Sequence, residues 1–353
     1  MLLPLSGEYK EIGESLIYSS LLAVKEIDDK NIELVVKDIG SDNQELLVNA
    51  LDTLEEEEIF ISIILTDTTN YSILHNYQDV IFLSLSNKSS IINKNIINFG
   101  VNLTSQLDRI FSFLEDQKMS KIIVLYPEGV NEELYELILK NFDEKIFKKL
   151  KYSNQQSKLN DQIEKLTLFN QRKINLNARI KQLENLEDDP QAERELKKLE
   201  TLDTLGSLNF DSVIVLDFGN SLKSVLSTLA YVDAGSDRIT IATINQWFDE
   251  SLFLEKTSSE IYFPSIDLVS FKNFNKDFNK NFNKQPFEIS ILAYDAIAYI
   301  YHIWQNEKQA LAMNSFKLKS KIKGRSGSFF INNDRLLQDL TIYKVSNDSF
   351  KKF

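Results

Sequence analysis

Small polar side chains follow several apolar segments of this sequence, and they are the residues best suited to chemistry. The run "IFISIIL" is followed by "TDTTN", and the run "VIFLSLS" is followed by "NKSS". Open α/β sheets bind ligands just beyond the carboxyl ends of their strands, so these groups predict a site for a small polar ligand. Capping of turns explains the Ser and Thr residues equally well. The predicted ligand-binding residues are Ser6, Thr66, Asp67, Thr68, Ser86, Asn220 and Trp247.

The residue types that most enzymes and metal sites need are scarce. The 353 residues include no cysteine and only two histidines, His75 and His302, which lie far apart in the sequence. The sequence also has no P-loop and no G-x-G-x-x-G motif. We therefore predict no catalytic residue, no metal ligand and no cofactor, and a protein that is not an enzyme.

The charge of the chain argues against two classes of partner. Its formal net charge is −12. A nucleic-acid-binding protein needs a basic surface, and anionic lipid attracts basic segments rather than acidic ones. No apolar run approaches the roughly 20 residues that span a bilayer. The sequence thus predicts neither a nucleic-acid partner nor a membrane-spanning segment.

The elements that must position the polar residues alternate between strand and helix. Apolar runs typical of buried strands recur at 32–40, 59–65, 80–86, 121–127, 211–219 and 238–243. Amphipathic segments separate most of these runs, which indicates βαβ units around parallel sheets. Because the units fall into two groups, the predicted fold class is α/β, with two Rossmann-like lobes.

Residues 153–205 interrupt this alternation with helical patterns alone. Leu159, Ile163 and Leu166 form one apolar stripe, and Asp189 and Pro190 suit the cap and first position of a later helix. We predict a helical hairpin whose turn lies near 187–190 and whose outer face is solvated. The apolar residues expected to face one another in it are Leu176, Ile180 and Leu183 on the first arm and Leu196, Leu199 and Leu202 on the second. Two interpretations remain open: a cap packed over one lobe, or an arm that contacts a partner protein. On the second interpretation, both lobes should fold without residues 155–201.

The start of the chain resembles a known family. An apolar strand leads into Pro4, Ser6 and Gly7, and Gly13 follows at the first helix. The glycines permit a tight turn, and the helix can present backbone N–H groups to a ligand. This opening resembles the type I periplasmic binding-protein fold, the leucine/branched-chain amino-acid receptor superfamily. The segments "LAYDAIAYI" and "GRSGSFFINNDRLLQDLTIYKV" extend the resemblance over nearly the whole chain.

One branch of this superfamily is similar in more detail. The helical insertion, "LDTLGSLNFDSVIVLDFG" and "TINQWFDESL" resemble the penicillin-binding protein activators, which are regulators of cell-wall synthases. The matching residues are Asp203, Thr204, Leu205, Gly206, Phe210, Asp211, Trp247, Asp249 and Glu250. This resemblance implies a regulator that acts through protein contact.

The loop that binds the ligand carboxylate in amino-acid receptors differs here from the family pattern. It contains Asp67 among Thr66, Thr68 and Thr69, and an anion at this place repels a carboxylate. Lys88 in the next loop could offset that charge. The family also holds the ligand ammonium with an acid in lobe two, where this sequence offers no clear buried acid. We therefore expect free leucine or valine to bind weakly or not at all.

The resemblance also implies how the chain is divided. Three crossovers between the lobes are expected near 102–105, 263–267 and 322–326. The expected division is 1–103 plus 265–323 for lobe one and 104–264 plus 324–353 for lobe two, with 153–205 as an insertion in lobe two. The superfamily is exported, so the resemblance implies a periplasmic protein, free or lipid-anchored, whose precursor carries a signal segment.

Two hypotheses for function follow from the resemblance. In the first, the protein is a non-enzymatic regulator whose partner is a cell-wall synthase. In the second, it is a solute-binding receptor of an ABC importer, and its partners are the importer's membrane subunits. Its two lobes then close around a small polar or amino-acid-like ligand in the cleft between them.

Overall fold

The chain forms two compact units in a computed structural model that describes residues 1–41, 43–87, 94–129, 131–186, 189–307, 311–316, 321–332 and 335–353. Unit 1 comprises Met1–Asp108 and Ser265–Thr341, and unit 2 comprises Arg109–Pro264 and Ile342–Phe353. The chain therefore passes between the units three times. The third passage falls after Thr341 and not near 322–326, because the residues around 322–338 form a small sheet of unit 1.

Unit 1 begins with a sheet in which all strand pairs are parallel. Its strands are β1 (Leu2–Leu3), β2 (Lys37–Asp38), β3 (Ile61–Ile64), β4 (Ile81–Ser84) and β5 (Ile96–Asn98). They pair in the order β2-β1-β3-β4-β5. The helices of this segment are α1 (Lys10–Ile27), α2 (Gln44–Glu56) and α3 (Tyr71–Leu74), and α4 (Leu103–Asp116) begins in unit 1 and ends in unit 2. Strand β4 is wholly buried and apolar except at its last residue, as a parallel strand covered on both faces requires.

Unit 2 repeats this architecture. Its parallel strands are β6 (Ile122–Pro127), β7 (Lys148–Tyr152), β8 (Ser212–Val215), β9 (Thr240–Thr243) and β10 (Tyr262–Ser265). Its helices are α5 (Glu132–Leu139), α6 (Gln156–Thr167), α7 (Phe169–Glu184), α8 (Pro190–Leu199) and α9 (Gly219–Tyr231). The predicted α/β class with parallel sheets is confirmed in both units.

The last third of the chain completes both units. It forms α10 (Leu268–Phe282), α11 (Ser290–Glu307), β11 (Ile322–Gly324), β12 (Gly327–Asn332), β13 (Arg335–Gln338), β14 (Thr341–Val345) and β15 (Phe350–Lys352). Helix α11 packs on α1 in unit 1, and β11-β12-β13 form an antiparallel sheet. Strands β14 and β15 close the sheet of unit 2, in the order β15-β14-β10-β9-β8-β6-β7.

The insertion consists of one helix that belongs to the core of unit 2 and a hairpin beyond it. Helix α6 packs on α9, and its Leu159, Ile163 and Leu166 are at most 7% exposed. The chain then breaks at Leu168, which takes the left-handed conformation (φ 53°). The insertion is therefore a cap over unit 2 at its base. Since residues 155–201 include α6, this packing weighs against the expectation that they are dispensable for folding.

Helices α7 and α8 form the predicted hairpin. Leu176, Leu183, Ala192 and Leu199 form its buried seam, with Ile180, Leu196 and Leu205 packed against them. Leu202, expected in this seam, is instead 41% exposed. Asp189 caps α8 by accepting a hydrogen bond from the Gln191 N–H (2.8 Å). The predicted turn near 187–190 lies partly outside the described residues.

Two features of the sheets differ from the sequence pattern. The run at 32–40 forms only the two-residue strand β2, and the lysine-rich segment Lys148–Tyr152 forms β7, which the apolar pattern does not indicate. Both are edge strands, where short length and charged side chains prevent pairing with other molecules. Among the described residues, no helix combines the length and the apolar character needed to cross a membrane.

Candidate functional site

The polar residues predicted in unit 1 follow strands that run in the same direction. Ser6 follows β1, Thr66 and Asp67 follow β3, and Ser86 follows β4. Because these strands are parallel neighbours, their carboxyl ends lie at one edge of the sheet. The predicted residues of unit 1 therefore share one edge, although each is held by its own local contacts.

Ser6 lies against an aspartate that the sequence pattern does not single out. Asp38 Oδ1 accepts hydrogen bonds from the N–H groups of Leu5 and Gly40, both at 2.8 Å. Burial alone raises the pKa of Asp38, but hydrogen bonds from Gly40, the Ser6 side chain and Leu5 outweigh it and lower the pKa. The ionised Asp38 side chain therefore already binds backbone N–H groups at the turn after β1. The sequence signal that could have indicated this residue was an acid at the end of the neighbouring strand β2.

The loop after β3 is held in the same way. Asp67 Oδ1 accepts a hydrogen bond from the Thr69 N–H (3.0 Å), and Thr66 Oγ1 accepts one from Asn70 Nδ2 (2.8 Å). Thr68 begins the short 3-10 turn Thr68–Asn70 that these bonds cap. The alternative of turn capping thus accounts for these contacts of Thr66 and Asp67. A ligand carboxylate would meet Asp67 at the Thr69 N–H, whereas Lys88 falls outside the described residues.

A buried tyrosine joins this loop to the next two strands. The Tyr71 hydroxyl donates to Ser84 Oγ at 2.8 Å and also contacts Asn98 Oδ1. It interacts with the Ser86 side chain as well, and burial raises its pKa. Tyr71 therefore brings the loop after β3 and Ser86 together, and it is a residue that the sequence pattern missed.

Unit 2 contains a polar cavity of about 470 Å³ at the carboxyl ends of β6, β7 and β8. Its lining residues are Pro127, Glu128, Asn131, Tyr135, Tyr152, Ser153, Asn154, Gln156, Leu159, Asp217, Phe218, Asn220, Ser221 and Ser224. Cavities of this size hold small ligands, and hydroxyl, amide and carboxylate groups orient them by hydrogen bonds. Of the residues predicted in this unit, Asn220 lines the cavity.

The cavity contains a buried acid, contrary to the expectation from sequence. Asp217 is 7% exposed, and it accepts hydrogen bonds from the Tyr152 hydroxyl and from the Phe218 N–H (2.8 Å). Burial and the Asp217 charge raise the pKa values of both Tyr152 and Tyr135. The carboxylate thus accepts a hydrogen bond from one neutral phenol, Tyr152, and its charge helps to keep a second, Tyr135, neutral. Its position directly after the apolar run "VIVL" was the signal that could have found it.

Trp247 lies in the next loop and is not among the described residues that line the cavity. Its backbone N–H donates to Asn245 Oδ1 (3.0 Å), and both Trp247 (φ 48°) and Phe248 (φ 61°) have the left-handed backbone conformation. Gln246 Nε2 donates to the Asp217 carbonyl (3.0 Å), which ties this loop to the loop that carries Asp217. Trp247 is therefore held near the cavity by its neighbours, in a backbone conformation that is costly for residues with a side chain.

The polar groups of each unit are of kinds that can bind a small molecule. The groups at both sheet edges are hydroxyls, amides and carboxylates, and neither histidine is among the described lining residues of the cavity. Among the described residues, no group of three or more His, Cys, Asp or Glu side chains could hold a metal ion. What these edges can do is hydrogen-bond a polar molecule.

Comparison with solved structures identifies the fold. The structure is similar over its whole length to a putative branched-chain amino acid ABC transporter protein from Rhodospirillum rubrum, with a TM-score of 0.71 and 8% identity, covering 98% of that chain. It is similar to the C-domain of LpoA from Haemophilus influenzae, a regulator of PBP1A, with a TM-score of 0.62 and 11% identity, again over 98% of that chain. An extracellular ligand-binding receptor from Desulfohalobium retbaense matches with a TM-score of 0.58 and 14% identity.

These similarities establish the fold and leave the function open. The chain has the type I periplasmic binding-protein fold, as the sequence resemblance implies. The similar structures include both solute-binding proteins and a regulator, and at these identities the likeness is one of fold alone. The chain spans 58% of the length of the Desulfohalobium receptor. No family model matches the sequence, and no curated protein does.

Proposed function

We propose that this protein is a non-enzymatic, periplasmic regulator of cell-wall synthesis that acts through protein contact, like the penicillin-binding protein activators. The observation that carries the proposal is the α7–α8 hairpin. Beyond Phe169, which packs on Tyr231 of α9 at its base, the buried apolar side chains of the hairpin from Leu176 to Leu199 pack in its own seam. A helical pair of this kind, extended from a folded domain, is suited to contact another protein.

The outer surface of the hairpin supports this role. Lys173, Lys181, Arg194 and Lys198 are all exposed, as are the acids Glu184 and Glu193, and Ile174, next to Lys173 in the sequence, is 60% exposed. Exposed charged and aliphatic side chains can contact a partner surface by both charge attraction and apolar burial. The similarity to the LpoA C-domain, a regulator of PBP1A, agrees with this function at the level of fold.

A second candidate function is a solute receptor of an ABC importer, which the polar cavity of unit 2 favours. The contacts of unit 1 weigh against an amino-acid ligand. Two carboxylates, Asp38 and Asp67, already accept hydrogen bonds from the N–H groups of the loops after β1 and β3. A free amino acid would have to bring a third carboxylate to the same edge.

The proposal is tested by removing the hairpin and measuring contact with a synthase. In the variant, hereafter the hairpin deletion, a short Gly-Ser linker replaces residues 174–203. Arg172 O and Leu205 N lie 3.1 Å apart, so the two ends can be joined at the base of the hairpin. We expect the deletion to abolish binding to a purified PBP1A-type synthase, and stimulation of its glycan polymerisation, while circular dichroism remains that of a folded protein.

A charge-reversal variant provides the matched control. Lys173→Glu combined with Lys181→Glu keeps the hairpin but reverses the charge at two of its exposed positions on α7, and it should weaken the contact without removing the helices. If the hairpin deletion folds and still stimulates the synthase normally, the regulator function is wrong. Micromolar binding of a small polar solute with no synthase contact would favour the importer receptor instead.

A further inference from the structure

A buried arginine lies at the base of the hairpin, beside Phe169, which packs on Tyr231 of α9. The side chain of Arg172, in the first turn of α7, is 4% exposed. Its Nε donates to the Thr167 carbonyl (3.0 Å), and its Nη2 donates to the Val232 carbonyl (2.5 Å). Its Nη1 donates to Thr204 Oγ1 (2.8 Å) and to the Asp233 carbonyl (3.2 Å). One guanidinium thus contacts four residues.

These four residues belong to three different segments that meet at the base of the hairpin. Thr167 is the last residue of α6, Val232 and Asp233 follow the end of α9, and Thr204 lies on the chain returning from α8. The last carbonyls of a helix lack partners within the helix and carry its partial negative charge. A guanidinium, with five donors and a permanent positive charge, can therefore cap the carboxyl ends of α6 and α9 together.

An ion pair completes the contacts that Arg172 makes at the base of the hairpin with Thr167, Thr204, Val232 and Asp233, hereafter called the joint. Asp233 Oδ2 lies 3.4 Å from Arg172 Nη1 and 3.2 Å from Arg238 Nη1, and it also accepts a hydrogen bond from the Thr204 hydroxyl. Arg238 additionally donates to the Gly206 carbonyl (3.3 Å). Asp233 therefore keeps a charged partner even when Arg172 is replaced, so a variant at Arg172 does not leave an isolated buried carboxylate.

We propose that Arg172 is a positioning residue that fixes the direction in which the hairpin leaves unit 2. Between the two arms at the base, the Leu205 N–H donates to the Arg172 carbonyl (3.1 Å), and Leu168, the residue directly before α7, interrupts the helix between α6 and α7. Without the guanidinium, the hairpin keeps its own seam but loses its fixed angle. A rigid arm loses less freedom on binding than a hinged one, so the joint favours contact with a partner.

The direction of the hairpin can be measured by the distance between two spin labels. The chain has no cysteine, so Lys181→Cys on α7 and Lys256→Cys on the body of unit 2 give two unique labelling positions, both exposed. We expect one narrow distance distribution in the otherwise native protein. Arg172→Met should broaden it or split it into several distances, and Arg172→Lys should give an intermediate result, because one ammonium cannot reach all the acceptors.

Arg179→Met is the matched control. Arg179 lies on the same helix and forms an ion pair with Glu195 at 2.9 Å, but this pair joins α7 to α8 within the hairpin. Arg179→Met should therefore leave the distribution of label distances narrow. An unchanged distribution in Arg172→Met, with circular dichroism confirming that the protein is folded, would overturn the proposal. So would equal broadening in Arg179→Met, since the angle would then depend on the seam. If Arg172→Met does not fold, Arg172→Lys carries the same comparison.

The consequence for a partner rests on the proposed function, whereas the label distance does not. If the hairpin contacts a synthase, Arg172→Met should weaken that binding by about 5- to 30-fold while every residue of the contact surface remains. A broadened distribution with unchanged synthase binding would confirm the joint and reject its role in recognition. Absence of synthase binding by the native protein would reject the proposed function and leave the joint to be decided by the distances alone.

Discussion

Deleting the whole insertion should strongly destabilise unit 2, whereas deleting only its hairpin should leave the stability of unit 2 almost unchanged. The long deletion, Gln155–Thr201, removes α6 with Leu159, Ile163 and Leu166, which are at most 7% exposed. Burial of one such side chain contributes about 1.5–3 kcal/mol. Loss of the three therefore costs roughly 5–9 kcal/mol, and a whole domain is stable by only about 5–15 kcal/mol. The long deletion should leave unit 2 unfolded or barely stable.

The hairpin deletion removes residues that mostly bury one another. Leu176, Leu183 and Leu199 pack in the hairpin seam, so their loss uncovers little of the body. Phe169, Arg172 and Thr204 remain, and with them the contacts at the base. We expect the midpoint of urea unfolding to stay close to that of the native protein, with a slightly smaller m-value because less surface is exposed on unfolding.

The two tryptophans allow this comparison to be made unit by unit. Trp247 lies in unit 2 and Trp304 in unit 1, so Trp304→Phe leaves a single fluorescent reporter for unit 2. Urea unfolding followed by that reporter should show a cooperative transition for the hairpin deletion and little or none for the long deletion. A long deletion that unfolds at the native midpoint would refute the assignment of α6 to the core. Equal destabilisation by both deletions would show that the hairpin seam is not independent.

Three further results are expected. Titration calorimetry should detect no micromolar binding of leucine or valine, because Asp38 and Asp67 already occupy N–H groups at the edge of unit 1. Asp211→Ala should lose roughly 1–3 kcal/mol, since Asp211 accepts hydrogen bonds from Ser120 N–H (2.9 Å), Lys121 N–H (3.0 Å) and Ser212 Oγ. Burial raises the pKa of Asp211, but these hydrogen bonds outweigh burial and lower the pKa. In urea titrations, the difference in unfolding free energy between Asp211→Ala and the native protein should therefore be complete above about pH 4 and decrease below that pH. Gly324→Ala should lose about 1–3 kcal/mol of thermal or urea stability, because a Cβ there would lie 2.4 Å from Asp295 Oδ2, which is buried and hydrogen-bonded.

The architecture could be predicted because its signals are periodic. Buried parallel strands such as β4 and β6 are continuous apolar runs, and the hairpin seam repeats at helical spacing. The edge strand β7 could not be found in this way, because its lysines are solvated and carry no apolar pattern. The third passage between the units was misplaced for a related reason: the residues of β11, β12 and β13 indicate strands, but not the unit whose surface they cover.

The site was harder to predict than the fold, because residue type does not reveal which polar groups are already paired. Thr66 and Asp67 have the chemistry of ligand contacts, yet both cap the same short turn. Tyr152 ends β7 and Asp217 follows β8, and the whole insertion lies between them in the sequence, so their hydrogen bond depends on strand order. Asn220 could be placed because it lies in the first turn of α9, the helix that follows the same strand as Asp217.

Whether the loops of unit 1 are held ready for a ligand depends on Tyr71. Its hydroxyl contacts Ser84 and Asn98, which are 0% and 1% exposed, and it interacts with the side chain of Ser86. Tyr71→Phe removes one oxygen and keeps the ring, so the change in stability measures the hydroxyl. Buried polar groups that lose a partner cost about 1–3 kcal/mol. We expect Tyr71→Phe to lower the unfolding free energy of unit 1 by this amount. We also expect faster amide exchange at Thr69, because Tyr71 directly follows the Thr68–Asn70 turn.

Tyr77→Phe is the control for this prediction, since its hydroxyl donates to Asp52 Oδ1 (2.7 Å) at an exposed position. Removing it should change the stability by less than about 0.5 kcal/mol, as most surface substitutions do. With Trp247→Phe leaving Trp304 as the reporter, urea unfolding of unit 1 separates the two variants. If Tyr71→Phe and Tyr77→Phe unfold at the same midpoint, the buried hydroxyl does not hold the loop after β3. The edge of unit 1 would then be free to rearrange around a ligand, and the argument from Asp67 against a carboxylate ligand would lose its structural basis.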